Sequence, residues 1–300
     1  MTLQQKLGFD ADARVLIIHA DDIGMCQATV SAWARLVEFG LMTSASAMPP
    51  CSWFPAAAIE AQRLGRRADL GVHLTLNCEW QHYRWGPVTR SAPEDGLTGP
   101  EGYFHPLAKP THAHARVDAA RAELTAQIER AIAAGVELTH LDSHMLTMFS
   151  PALLPVYLDL AHQYSLPPLI PRWSAADIAQ WCVLDQALAQ TMYEQICARE
   201  AAGETVLIDS FNGLPFGEAF ELAERRTWAL DWLDTLGAGV HCLIGHPADD
   251  TPELRAIAAD WRVRTGDAAL FADPVFRDAI LERGFKFVGM REIRDAAYPR

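Results

Sequence analysis

The 300-residue sequence predicts an α/β fold, a distorted or incomplete (β/α) barrel of about seven strand-helix units. Three observations point there. Short aliphatic runs alternate with longer stretches of helical periodicity, the pattern of a mostly parallel sheet with right-handed crossovers. The units are too many for a small open sheet, and polar groups recur where the aliphatic runs end. No linker-like tract and no internal repeat divides the chain, so one domain over residues 1–300 is expected.

The first strand is Val15 to Ile18, an aliphatic run suited to burial on both faces. It runs into Asp21 and Asp22, with Gly24 to turn the chain. An Asp pair before a helix is commonly a turn and an N-cap, so its weight comes from what gathers around it. Ala28 to Phe39 carries Val30, Trp33, Ala34, Leu36 and Val37 at helical spacing, and Gly40 stops it. Leu41 to Met48 reads as a short strand, and a helix from Ser52 to Leu64 ends at Gly65. In Asp69 to Leu76, alternation sends Val72, Leu74 and Leu76 to one face and Gly71, His73 and Thr75 to the other.

From Asn77 to Lys109 periodicity fails, and Trp80, His82, Tyr83, Trp85, Tyr103 and Phe104 lie among Gly and Pro. A loop insertion of this length is uncommon in a compact domain unless functional or disordered. Its aromatics suit holding sugar rings or other flat apolar surfaces, a lid folded back on its own hydrophobic contacts, or a subunit contact in a homo-oligomer.

A helix is expected over Ala113 to Ala134, then a strand from Val136 to His144 that puts His140, Asp142 and His144 on one side. A helix follows over Pro151 to Tyr164, and Leu169 to Arg172 is a short strand made irregular by Pro171. Helix Val183 to Ala201, strand Thr205 to Ser210, helix Gly217 to Leu236 and strand Gly239 to His246 continue the alternation. The tail reads as a helix from Thr251, a loop over Thr265 to Asp273, a helix over Pro274 to Arg283 and a last strand over Phe285 to Val288.

Half of the residues are apolar, enough for a sizeable core. The formal charge of -13 argues against nucleic acid and anionic membrane, both of which reward clustered Lys and Arg. No apolar stretch approaches the roughly 20 residues of a spanning helix, and Met1 to Asp12 is polar, so a soluble cytoplasmic protein is expected. The six cysteines form no Cys-x-x-Cys pair and read as reduced and inert.

Chemistry is expected at four strand ends: Asp21 and Asp22, His73, His140-x-Asp142-x-His144, and His246 before Pro247. Two imidazoles and a carboxylate make a good ligand set for a divalent ion, with room left for water and substrate. His73 and His144 are favoured as ligands, with His140 and Asp142 orienting them. A second carboxylate can take a proton from water while a histidine opposite protonates the leaving group, the equipment of a metal-assisted hydrolase. His82, His105, His112, His114, His162 and His241 are expected to be ordinary core or surface residues, as is His19 unless it supports the Asp pair.

Ala20-Asp-Asp-Ile-Gly24, Leu70-Gly-Val-His-Leu-Thr-Leu76, Thr139-His-Leu-Asp-Ser-His144 and Gly245-His-Pro-Ala248, in that order, resemble the YdjC-like carbohydrate deacetylases. That group includes chitooligosaccharide and hopanoid-sugar deacetylases. Weaker matches at Asp95-Gly, Arg264 to Asp273 and Phe285 to Glu292 extend the resemblance over nearly the whole chain. It implies a barrel-like fold and hydrolysis of an N-acetyl group on an amino sugar, releasing acetate. It further implies Asp22, His73 and His144 as metal ligands, Asp21 as base, His246 as acid or oxyanion partner, and Arg172 as the arginine orienting the base. The ion implied is one magnesium or zinc. Many members carry further histidines after the Asp-Ser-His motif, where this chain reads Met145-Leu-Thr-Met148, and His19 stands where a small polar residue is common. Alternatives are a metallohydrolase of another amide or ester on the same scaffold, or a non-catalytic carbohydrate-binding protein.

Overall fold

A ring of parallel strands begins and ends on one aliphatic segment, β1 (Arg14–Ile23). The computed structural model describes residues 1–217 and 221–299. Around β1 stand β2 (Ser44–Ala47), β3 (Leu70–Leu74), β4 (Leu138–Ser143), β5 (Ser210–Gly213), β6 (Gly239–Gly245) and β7 (Lys286–Phe287). The order is β4-β3-β2-β1-β6-β5, with β7 beside the start of β1, and every pairing is parallel. From β1 to β4, and again for β5 and β6, neighbours in sequence are neighbours in space, and β6 returns to β1, as in a (β/α) barrel.

The ring does not close by a regular ladder. Between β4 and β5 lies the segment 167–172, joined only by single bridges, Leu141 to Pro168 and Pro171 to Ile208. Prolines at 167, 168 and 171 have no N–H to donate, so a continuous ladder cannot form there. The distorted barrel expected from the sequence is observed, and Pro171 is part of its physical cause.

Successive residues of β1 face opposite sides. Leu16, Ile18 and Ala20 join the large apolar cluster beneath the helices. Val15 and Ile17 join a smaller one with Leu169, Ile208, Val240, Cys242 and Val288. This smaller cluster fills the inside of the barrel, and its face of β1 continues into His19 and Asp21. The polar residues at the strand ends thus sit on top of an apolar plug.

Several boundaries differ from expectation. The helix expected over 113–134 is two helices, Ala108–His114 and Val117–Ala133. The strand expected over Thr205 to Ser210 is displaced to Ser210–Gly213; Asp209 spends its carboxylate on the Val240 N–H, and Ile208 bridges the proline-rich segment instead. The expected loop over Thr265 to Asp273 is mostly helix, Trp261–Phe271. Its buried side holds Arg264 and Asp267 among apolar residues, and charges on the inward face hide helical periodicity. A final helix, Met290–Ala297, went unexpected. The helix expected from Gly217 is seen as Leu222–Asp234; residues 218–220 lie outside the described residues. All six cysteines are free. Among the described residues no helix is long and apolar enough to cross a membrane.

Candidate active site

The end of β1 is bent by its own backbone. Asp22 adopts φ 64° and Gly24 φ 87°. A positive φ at a residue other than glycine is uncommon and collects at functional sites. A Cβ at Gly24 would also lie 3.0 Å from the Phe54 backbone, so the turn requires glycine. The bend separates the paired acids, so that Asp21 and Asp22 meet different partners.

Asp22 faces His73 and His144. Its Oδ1 lies 3.4 Å from His73 Nε2 and 3.2 Å from His144 Nδ1, and those two nitrogens are 3.2 Å apart. All three residues are buried, and Asp22 Oδ1 makes no well-formed hydrogen bond. Three donor atoms crowd one point. Ligands about 2.0–2.1 Å from a tetrahedral ion stand about 3.3 Å from one another, so the spacing suits a shared divalent cation. The residues present fit a metal: the structure brings together the three side chains that the resemblance implied as its ligands.

Each imidazole is backed by a carboxylate. His73 Nδ1–H donates to Asp142 Oδ2 at 2.7 Å, and Ser46 Oγ donates to the same oxygen at 3.0 Å. His144 Nε2–H donates to Glu79 Oε2 at 3.0 Å. Burial alone would drive protons off both rings, but the charges of Asp142 and Asp21 hold the His73 pKa well above its usual range. Glu79 and Asp22 likewise raise that of His144 to about 9. An environment that holds protons this firmly also favours a cation in their place. Burial opposes ionisation of Asp22 too, yet Arg264 and the two histidines keep its carboxyl well below the ordinary carboxylate range.

Asp21 stands beside the triad with His246. His246 Nε2 is 3.6 Å from Asp21 Oδ2, and His19 Nε2 is 3.1 Å from Asp21 Oδ1. His19 also lies 3.6 Å from Asp142 and 3.0 Å from Ser44 Oγ, so it stands between the two carboxylates. Burial would lower its pKa, but Asp142 and Asp21 raise it to about 9.

One helix braces both halves of the site. From Trp261–Phe271, Arg264 Nη1 donates to Asp22 Oδ2 at 2.8 Å, while Asp267 Oδ2 accepts the His246 backbone N–H at 2.8 Å. Asp267 is itself paired with the fully buried Arg225. Arg172 is placed elsewhere: its side chain is half exposed and bonds Glu200 at 2.6 and 2.7 Å. The arginine that meets an acid of the site is Arg264.

His144 lies just past β4, in a tight turn where Met145 and Leu146 take φ 51° and 53°, so the extended pattern expected through residue 144 stops one residue earlier. His140 stays on the inner face but serves packing. A Cβ on Gly71 would lie 2.6 Å from its ring, and the ring meets that of His19 at 5.1 Å. The six histidines expected to be ordinary line no part of the cavity above the triad.

That cavity holds about 400 Å³. Its floor is Asp21, Asp22, His73, His144 and His246, and its walls include Trp80, Met145, Leu146 and Phe216. Of the aromatic insertion, Trp85 and Phe104 are buried while Trp80 lines the cavity.

Sequence reasoning missed Glu79, Arg264 and Asp267 as parts of this site, and Asp260, which lines the cavity 3.1 Å from Arg264 Nε. Glu79 lies in the aperiodic insertion. Asp267 falls in the segment read as a loop and Arg264 just before it, and their only signal was the weak resemblance over Arg264 to Asp273.

The sequence profile described as YdjC-like protein matches residues 15–282. A carbohydrate deacetylase from Thermus thermophilus is 33% identical over 298 residues, covering 99% of this chain and 100% of that protein. A chitooligosaccharide deacetylase from Yersinia enterocolitica is 29% identical over 164 residues, 54% of this chain and 61% of that one. A crystal structure from Enterococcus faecalis, named for cellobiose-phosphate cleavage, superposes with a TM-score of 0.76 at 22% identity, over 94% of this chain and 99% of the other. That likeness speaks to the fold.

Proposed function

The chain belongs to the YdjC-like protein family, and on that premise we propose that it is a carbohydrate deacetylase, a metal-dependent hydrolase that removes an N-acetyl group from an amino sugar or glycoconjugate and releases acetate. The observation that carries the reading is the meeting of Asp22 Oδ1, His73 Nε2 and His144 Nδ1 within 3.4 Å of one another, beside the Asp21–His246 pair.

Asp22, His73 and His144 would hold the ion, which when bound supplies Lewis-acid polarisation of the amide and a more acidic water. Asp21 would accept the proton of the attacking water. His246, facing it at 3.6 Å, would pass a proton to the sugar nitrogen as the C–N bond breaks, leaving acetate and a free amine. Arg264 would keep Asp22 ionised, and Asp267 would fix the His246 backbone. Trp80 offers a flat face on which the sugar ring can lie. Magnesium and zinc are the two candidate ions. Two nitrogen donors, and donor separations near those of a tetrahedron, favour zinc or a related transition ion.

The test is elemental analysis of wild type, His73→Ala and His144→Ala, with acetate release measured on N-acetylated sugars and on acetylated esters. About one divalent ion in wild type, its loss in both variants, and acetate from N-acetyl sugars are expected. A wild type that takes up neither zinc, magnesium nor manganese removes the mechanism. Release from esters alone moves the activity to another hydrolase class.

A further inference from the structure

Glu79 belongs to the 77–109 insertion, outside every motif by which the sequence resembles its family. Its carboxylate nevertheless reaches a proposed ligand of the ion: Oε2 accepts from His144 Nε2–H at 3.0 Å. An imidazole that donates through one nitrogen presents the other bare, and for His144 the bare nitrogen is Nδ1, the atom that meets Asp22 and His73. His73 is arranged in the opposite sense, with Nδ1–H held by Asp142 and Nε2 turned to the same point.

The segment carrying Glu79 is pinned. Cys78 N–H donates to His105 O at 2.9 Å, Trp85 Nε1–H to Asn77 O at 2.7 Å, and Tyr83 O–H to Met25 O at 2.6 Å. Thr147, three residues past His144, donates its hydroxyl to Asn77 Oδ1, two residues before Glu79. Acid and imidazole are therefore tied to each other through backbone neighbours as well as directly. The Glu79 side chain is 18% exposed, so its bond to His144 is largely shielded from water.

We propose that Glu79 is the positioning residue for His144, selecting its Nδ1 as the metal-binding nitrogen, and that the aromatic insertion thereby helps to build the metal site as well as wall the cavity. The inference rests on the reading that Asp22, His73 and His144 hold an ion. Carboxylates in this relation to a metal-binding histidine are worth about 10–100-fold in metal affinity.

The experiment measures zinc affinity by chelator competition for wild type, Glu79→Gln, Glu79→Ala and His144→Ala, each checked by thermal melting. Glu79→Ala is expected to bind zinc about 10–100-fold more weakly, and Glu79→Gln, whose amide oxygen still accepts from Nε2–H, to recover part of the loss. A purely structural role would lower the melting temperature of Glu79→Ala and leave the affinity of the folded protein unchanged, and that result overturns the proposal. Equal losses in Glu79→Ala and Glu79→Gln also overturn it, since the retained acceptor would then do nothing. If wild type binds neither zinc, magnesium nor manganese, the metal reading itself fails; if wild type binds and Glu79→Ala binds as well, only the role of Glu79 fails.

Discussion

Arg264 Nη1 donates to Asp22 Oδ2 across 2.8 Å, and the two side chains are 3% and 2% exposed. They are separated by 242 positions in the chain, yet one charge is set against the other inside the protein. Removing one member of such a pair leaves the other buried and uncompensated. Arg264→Met should destabilise the fold by about 3–5 kcal/mol and abolish turnover, read by denaturant titration and acetate release. Arg172→Ala, at a half-exposed ion pair, should leave turnover near that of wild type. A stable, active Arg264→Met, or an inactive but folded Arg172→Ala, would reverse the assignment of the two arginines.

Asp21 can be separated from its neighbour by what each variant keeps. Asp21→Asn preserves shape and leaves Asp22, His73 and His144 untouched, so metal content should match wild type while turnover falls about 10²–10⁴-fold, the span of general acid–base catalysis. Asp22→Ala should lose metal and turnover together. Full activity in Asp21→Asn would show that another group takes the proton.

Gly71 admits no side chain. A Cβ there would sit 2.6 Å from both the ring and the carbonyl oxygen of His140. Gly71→Ala should cost about 1–3 kcal/mol in chemical denaturation. Adding His140→Ala should not restore it, because the carbonyl remains; full rescue by the double variant would mean that the ring alone set the limit.

Asp69 accepts from Thr139 Oγ at 2.6 Å and from the Arg291 backbone N–H at 2.7 Å, tying β3 and β4 to the final helix. Burial raises its pKa from 3.8 to about 6, outweighing those two bonds. A carboxyl whose folded pKa is raised contributes stability that is full below its unfolded value and is lost as pH rises through the folded one. Between about pH 4 and 7 wild type should therefore lose roughly 3 kcal/mol relative to Asp69→Asn, in which nothing titrates at this position. Denaturant titrations of both proteins across that range test the sign; a constant difference, or one that grows with pH in favour of wild type, would refute it.

The alternation of aliphatic runs with helical stretches was legible because β1, β3 and β6 are buried on both faces and so are mostly apolar. The triad was legible for a related reason, since Asp22, His73 and His144 each follow or end such a run. Periodicity failed where burial and polarity coincide. Trp261–Phe271 buries Arg264 and Asp267, so its helical pattern was broken over Thr265 to Asp273.

By itself, then, the sequence determined the α/β barrel class, the polar strand ends and the acids and histidines named as candidate ligands, because these follow from local apolar patterning and short motifs. Only the tertiary structure decided that Arg264 meets Asp22 while Arg172 bonds Glu200 away from the site, that Asp267 holds His246, and that Glu79 reaches His144. The contacts within the site join positions 65 to 242 apart in the chain, or 21 for Asp267 and His246 across the end of β6. Their energy comes from charges paired away from water, and no local pattern records which distant partner neutralises a buried charge.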